Sequence, residues 1–159
     1  MSDRIAQTPS DAPTNTVVVA TWRGGRRYDI ARPGGPTTTI DGAGEVGTAP
    51  VDTLLGALAA CSAIDVEDYL LKRRTPPERL TVTVSAERRA ELPRRIVAAH
   101  LEFVIDGAGV EAAHAARAVA LSLARYCSVA ASLASDIVIG TRVVVNGVPV
   151  PSSAEARGE

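Results

Sequence analysis

The architecture of this chain follows from one run of residues, Pro50-Val-Asp-Thr-Leu-Leu-Gly-Ala-Leu-Ala-Ala-Cys-Ser-Ala-Ile-Asp65. Apolar side chains recur in it at helical spacing, and the leading proline fits the first turn of a helix. The helical pattern extends to about Arg73, where basic residues complement the helix dipole and Pro76-Pro77 prevent continuation. Because the middle of the run is apolar nearly all round, the sequence predicts a long helix that is buried on every side.

Strands are predicted on both sides of this helix. Before it, β-branched residues and glycine turns predict three short strands, at residues 16–22, 26–30 and 37–40. After it, apolar alternation and helical spacing predict strands at 80–88 and 95–105, helices at 110–126 and 129–134, and a last strand at 137–145. This order favours the α+β class with mostly antiparallel pairing.

The length and composition bound the kind of protein. The chain has 159 residues, so we predict a single domain over 16–150, with a flexible N-terminal arm at 1–15 and a flexible tail at 151–159. A net charge of −1 and an aromatic content of 3% give no reason to expect nucleic acid or a membrane as partner. The first residues lack the apolar core of a secretion signal, which predicts a cytoplasmic protein.

The chain contains two cysteines, Cys61 within the long helix and Cys127 at the end of the second helix. Neither belongs to a CxxC pair and the chain has only two histidines, so a tetrahedral zinc site is hard to build. A single cysteine on an apolar helical face is more often an inert core residue than a nucleophile. Two that meet in space could instead form a disulfide after one is oxidised to a sulfenic acid.

Activation of Cys61 as a nucleophile requires help from outside its own helix. It lies in the middle of that helix, where burial disfavours a thiolate, and a nearby Asp65 carboxylate would oppose it further. A cation must therefore come from elsewhere in the fold. Arg26, after the Gly24-Gly25 turn, is the best candidate, with Arg23 and Arg27 as competitors; a solvated surface charge is the ordinary alternative for each.

Asp52 has two possible roles. In the first turn of the long helix its charge stabilises the helix dipole. It could also hold an arginine through a bidentate pair. Because Asp52 and Cys61 are on opposite faces and roughly 13 Å apart along the axis, a shared site would draw them from different subunits. No acid–base partner is evident for Ser62 or Ser122.

Three segments carry a resemblance to a known family. The run at 50–65, Arg125-Tyr-Cys-Ser-Val129 and Ala20-Thr-Trp-Arg-Gly-Gly-Arg26 resemble the central helix, second cysteine motif and arginine hairpin of the osmotically induced protein C and organic hydroperoxide resistance family (OsmC/Ohr). The context of Cys127 is closer to the osmotically induced branch. The resemblance implies an OsmC-like fold, with antiparallel sheets wrapped around a long central helix in an interwound homodimer.

The resemblance also implies a role for each site residue. Cys61 is the peroxidatic thiol, Cys127 the resolving thiol and Arg26 the activating cation, while Asp52 stands where the family often has a glutamate that anchors the arginine. The implied activity is a thiol-dependent peroxidase that reduces organic hydroperoxides to alcohols and is restored by a small dithiol or lipoyl-type reductant. No metal, haem or flavin is needed. The alternative is a non-enzymatic binder of small apolar ligands, or a stress protein, on the same scaffold.

Overall fold

The computed structural model describes residues 15–151. The chain divides into two compact units, Met1–Pro50 and Val51–Glu159. Apart from residues 15 and 151, the predicted arm at 1–15 and the predicted tail at 151–159 lie outside the described residues. The single domain expected over 16–150 stays a prediction.

The first unit contains a three-stranded antiparallel sheet. Its strands are β1 (Val19–Trp22), β2 (Arg27–Ala31) and β3 (Thr38–Asp41), in the spatial order of the sequence. Gly24 and Gly25 turn the chain between β1 and β2 with φ angles of 97° and 58°. Both angles lie in the region that glycine adopts without steric cost, which explains the hairpin.

A buried carboxylate shapes the loop after β3. Asp41 accepts hydrogen bonds from the backbone N–H groups of Ala43, Glu45 and Val46. These bonds stabilise the charged form, so they hold the pKa of Asp41 below its usual range despite the opposing cost of burial. The glycine-rich loop is therefore ordered by a side chain of the sheet itself.

The long helix α1 (Pro50–Lys72) begins where the sequence predicts and ends one residue early. Its buried residues follow a single stripe, Leu58, Ser62, Val66 and Leu70. Ile64 and Leu71 are exposed for 58% and 48% of their surface, so the prediction that α1 is buried on every side is wrong for a single chain. Small apolar residues made the middle of the helix look uniform, but one face alone enters the core.

The second unit contains a four-stranded sheet. Its strands are β4 (Arg79–Arg88), β5 (Ile96–Asp106), β6 (Val138–Val145) and β7 (Val148–Val150), paired in that order. Only β5 and β6 are parallel, because the segment between them contains helices that carry the chain back across the sheet. Strand β7 was not predicted, although the Asn146-Gly147 turn before it, with φ angles of 49° and 78°, is a strong hairpin signal.

The core of the second unit joins α1, the sheet and α2 (Ala112–Leu121). Its largest fully buried apolar side chains are Leu58, Val66, Leu70, Leu101, Phe103, Ile105 and Val119. The predicted helix over 110–126 is interrupted: a π-helical turn occupies Ser122–Tyr126, and α3 (Ser128–Ser132) follows. Across residues 15–151, no helix combines the length and apolar character needed to cross a bilayer.

Candidate active site

Both cysteines of the chain meet at one place in the second unit. Cys61 of α1 and Cys127, which follows the π-helical turn, are free thiols. Their sulfur atoms and a carboxylate oxygen of Asp65 all lie within 4.8 Å of one another. We call Cys61, Asp65 and Cys127 the dithiol site. A disulfide needs sulfur atoms about 2.05 Å apart, so a short approach of the two side chains would be enough to bond them.

The two thiols differ in their access to solvent. Cys61 is half-buried, whereas Cys127 is only 2% exposed. Burial raises the pKa of Cys127 to about 11; the backbone N–H of Ala130, which donates to its sulfur at 3.4 Å, opposes this shift, and the neighbouring Cys61 adds to it. Cys127 is therefore a protonated thiol near neutral pH, and Cys61 is the sulfur that an external molecule reaches first.

The π-helical turn explains why Cys127 points toward α1. The backbone N–H of Cys127 donates to the carbonyl of Ser122, five residues earlier, at 2.8 Å. In a regular α-helix, residues five apart are rotated by about 140°. The wider turn reduces this rotation, so Ser122 and Cys127 both reach the side that carries Asp65. Single π-helical turns are frequent at functional sites.

A hydrogen bond links Asp65 to the second helical segment. The hydroxyl of Ser122, which is fully buried, donates to Oδ2 of Asp65 at 2.8 Å. From the sequence, Asp65 was predicted only as an obstacle to a thiolate, and Ser122 had no evident acid–base partner. Asp65 lies one helical turn after Cys61, and this spacing could have predicted that its carboxylate belongs to the site. The Ser122 contact depends on the π-helical turn, which helical periodicity does not reveal.

The dithiol site is also the group within residues 15–151 whose donor atoms are close enough to share a metal ion. Two thiolates and one carboxylate supply three ligands, one fewer than a closed tetrahedral zinc site requires. The prediction against a zinc site rested on cysteine spacing and the histidine count, and it did not include a carboxylate as third donor.

The three candidate arginines, all in the first unit, differ in their surroundings. Arg23 Nε donates to Asp29 Oδ2 at 2.5 Å, and the charge of Arg27 acts on Asp41. The side chain of Arg26 is exposed and forms no ion pair with a carboxylate in the described part of the chain. Its activating role beside Cys61 stays a prediction.

Asp52 lies exposed in the first turn of α1. The helix continues without a break from Asp52 to Cys61, so the two side chains project from opposite faces, roughly 13 Å apart along the axis. A single chain therefore does not bring Asp52 to the dithiol site. Its participation stays a prediction that requires a second subunit.

Comparison with known proteins places these features in a family. A family model described as OsmC-like protein matches residues 42–142, a span that includes α1, the π-helical turn and both cysteines. The chain therefore belongs to the OsmC-like family. This confirms the family predicted from its motifs.

Individual relatives agree with this assignment. Protein YhfA of Escherichia coli K12 is 40% identical over 95 residues, which cover 59% of this chain and 71% of YhfA. An OsmC-like protein of Mycoplasma pneumoniae has a TM-score of 0.72 at 16% identity and covers 84% of this chain and 99% of its own. A Legionella pneumophila structure described as an organic hydroperoxide resistance protein, OsmC, has a TM-score of 0.60 at 17% identity, with coverages of 85% and 100%. The two structures confirm the predicted α+β, OsmC-like fold.

Proposed function

We propose that this chain is a thiol-dependent peroxidase that reduces organic hydroperoxides to alcohols. The observation that carries the proposal is the approach of the Cys61 and Cys127 sulfur atoms to within 4.8 Å. A peroxidase that works with two thiols needs one sulfur that can be oxidised and a second within reach to form a disulfide. A structural relative named for organic hydroperoxide resistance supports this substrate class.

The reaction begins at Cys61, the more accessible thiol. Its thiolate attacks the terminal oxygen of the hydroperoxide, the O–O bond breaks, and the alkoxide takes a proton and leaves as the alcohol. Cys61 is then a sulfenic acid. Cys127 attacks the oxidised sulfur, the S–O bond breaks, water leaves and a Cys61–Cys127 disulfide forms. The two electrons that reduce the peroxide thus come from the two thiols.

An external dithiol completes the cycle. A small dithiol or lipoyl-type reductant attacks Cys61 of the disulfide, releases Cys127 and then closes its own disulfide. Attack at Cys61 fits the difference in burial, because Cys127 is almost closed to solvent. A dithiol suits the second step because its second sulfur is already tethered to the first, which makes release of Cys61 an intramolecular reaction.

We further propose that the working unit is a homodimer in which Arg26 activates Cys61 and Asp52 holds Arg26. Arg26 has the charge to stabilise a thiolate, and within residues 15–151 it is not occupied by a carboxylate. Asp52 is exposed at the start of α1 and is available for a bidentate pair. Ile64 and Leu71, exposed and apolar on α1, offer a surface for a second copy.

Peroxide consumption in the presence of excess small dithiol tests the proposal. The wild-type protein is expected to turn over organic hydroperoxide many times. Cys61→Ser is expected to lose turnover, because it removes the atom that is oxidised. Cys127→Ser is expected to give a single stoichiometric reaction unless the reductant attacks the sulfenic acid directly. Sustained turnover by Cys61→Ser contradicts the proposed role of Cys61, whereas absence of turnover by the wild-type protein favours the non-enzymatic binder.

A further inference from the structure

The second step of the proposed reaction poses a proton problem at Cys127. A thiol attacks a sulfenic acid only as its thiolate, yet Cys127 is only 2% exposed and its environment favours the protonated form. With a pKa near 11, about one molecule in ten thousand carries the thiolate at pH 7. Bulk solvent has little access to Cys127 to remove this proton. A base inside the dithiol site would remove the difficulty.

The structure places one carboxylate at this position. An oxygen of Asp65 lies within 4.8 Å of both sulfur atoms, a separation that allows proton transfer through one bridging water. The Ser122 hydroxyl binds Oδ2 at 2.8 Å and fixes the orientation of the carboxylate. Ser122 belongs to the same π-helical turn that positions Cys127. The π-helical turn therefore positions both Cys127, the thiol that attacks in this step, and Asp65, the candidate base.

We propose that Asp65 is the proton acceptor for Cys127 during disulfide formation, held in position by Ser122. This inference rests on the proposed two-thiol chemistry and adds a residue to it. Asp65 takes the proton of Cys127 as the Cys127 sulfur attacks Cys61. The same proton then passes to the hydroxide that leaves Cys61, which becomes water. Asp65 returns to its carboxylate form, and the sum is one sulfenic acid plus one thiol giving one disulfide plus water.

The same carboxylate acts in the opposite direction on the first step. Its negative charge lies beside Cys61, where it repels the charge of an attacking thiolate. Removal of that charge is expected to slow disulfide formation while leaving peroxide attack unchanged or faster. A purely structural role for the Asp65–Ser122 hydrogen bond would not separate the two steps in this way.

The test is a comparison of Asp65→Asn with Asp68→Asn. Asn has the shape of Asp and can still accept the Ser122 hydrogen bond, and Asp68 is an exposed carboxylate on the same helix. After one equivalent of cumene hydroperoxide, sulfenic acid is trapped with dimedone at increasing times. We expect Asp65→Asn to form disulfide about a hundredfold more slowly and to accumulate sulfenic acid. Asp68→Asn is expected to behave as wild type. Equal rates of disulfide formation in all three proteins overturn the inference.

A second measurement separates this inference from the peroxidase proposal. Ellman's reagent converts the accessible Cys61 to a mixed disulfide with thionitrobenzoate, and Cys127 then displaces a second thionitrobenzoate. This displacement needs the same loss of a proton from Cys127 but no peroxide. We expect Asp65→Asn to slow the displacement about as much as it slows disulfide formation. If wild type fails with peroxide but shows this Asp65 dependence, the peroxidase proposal fails alone; if displacement ignores Asp65, the proton acceptor fails alone.

Ser122→Ala tests the supporting contact. Asp65 keeps its charge in this variant but loses the hydrogen bond that orients it. We expect slower displacement than in wild type, with a smaller effect than that of Asp65→Asn, because the carboxylate remains near Cys127. A larger effect than that of Asp65→Asn would indicate that Ser122 supports the fold of the π-helical turn rather than the carboxylate.

Discussion

At the level of single residues, Cys61 and Cys127 share one site but differ in how far solvent reaches them. This difference supports the order proposed for the two thiols, with Cys61 first and Cys127 second. The sequence could predict the pair, because two cysteines on apolar helical segments are few enough to consider together. It could not predict which thiol is buried, since periodicity places both on apolar faces.

Asp65 and Ser122 show which residues of the site can and cannot be predicted from the sequence. Asp65 is one helical turn from Cys61, so its proximity to the sulfur could be foreseen. Ser122 is 57 residues away from Asp65 in sequence. Its contact depends on the change from α-helical to π-helical geometry at residues 122–126, and no spacing rule identifies that change.

The proposed activation of Cys61 by Arg26 can be tested by matched substitutions of two arginines. Arg26→Gln is expected to lower the rate of peroxide attack about ten- to hundredfold, as for loss of a charged hydrogen bond worth about 1.5–3 kcal/mol. Arg23→Gln removes an exposed ion pair with Asp29 and is expected to change the rate less than about twofold. Stopped-flow oxidation under single-turnover conditions gives both rates. A larger loss in Arg23→Gln than in Arg26→Gln contradicts the assignment.

At the level of elements, α1 supplies both the core and the site. Leu58, Ser62, Val66 and Leu70 form its buried stripe, and Cys61 and Asp65 lie on the edge of that stripe. The length of the helix and its limits were predictable from Pro50 and Pro76-Pro77. Its one-sided burial was not, because small apolar residues such as Ala57 and Ala60 do not distinguish a core face from an exposed one.

The strands show the same division between pattern and context. The alternation in β4 and β5 was predicted correctly, since each has one face in the core. The parallel pairing of β5 with β6 follows from the helical crossover between them. Strand β7 has three residues, which are too few for alternation to be recognised, so the Asn-Gly turn before it is the signal that indicates it.

The assignment of the buried stripe of α1 can be tested by comparing an alanine substitution within the stripe with one at an exposed position outside the helix. Leu70→Ala removes a fully buried side chain and is expected to lower the free energy of unfolding by about 2–5 kcal/mol. Leu92→Ala alters a side chain that is 86% exposed and is expected to change the free energy of unfolding by less than about 0.5 kcal/mol. Urea denaturation under reducing conditions measures both values. Equal losses would show that the buried stripe of α1 is assigned incorrectly.

At the level of the whole molecule, a single chain exposes many large apolar side chains. They include Val17, Val18, Val19 and Trp22 in the first unit and Leu54, Ile64 and Leu71 on α1. Exposed apolar surface of this kind is typical of a protein–protein interface. This exposed surface is consistent with the proposed homodimer. Contact with a second copy would account for the apolar residues of α1 that one chain leaves exposed.

The proposed homodimer predicts the molecular mass of the protein in solution. Sedimentation equilibrium of the wild-type protein is expected to give about twice the chain mass. Ile64→Glu places a charge on the exposed apolar face of α1 and is expected to shift the protein toward the monomer. Leu92→Glu adds the same charge at an exposed position in the connection between β4 and β5 and is expected to leave the dimer intact. A wild-type protein that stays monomeric at every concentration contradicts the proposed assembly.

Mass spectrometry of the reduced protein after one equivalent of cumene hydroperoxide tests the two-thiol chemistry most directly. The expected product is lighter by the mass of two hydrogens, and proteolysis is expected to yield one peptide pair joined through Cys61 and Cys127 within a single chain. Addition of a small dithiol should restore the original mass. An unchanged mass, or stable oxygen adducts on the cysteines without the linked peptides, would contradict the chemistry proposed for these two sulfur atoms.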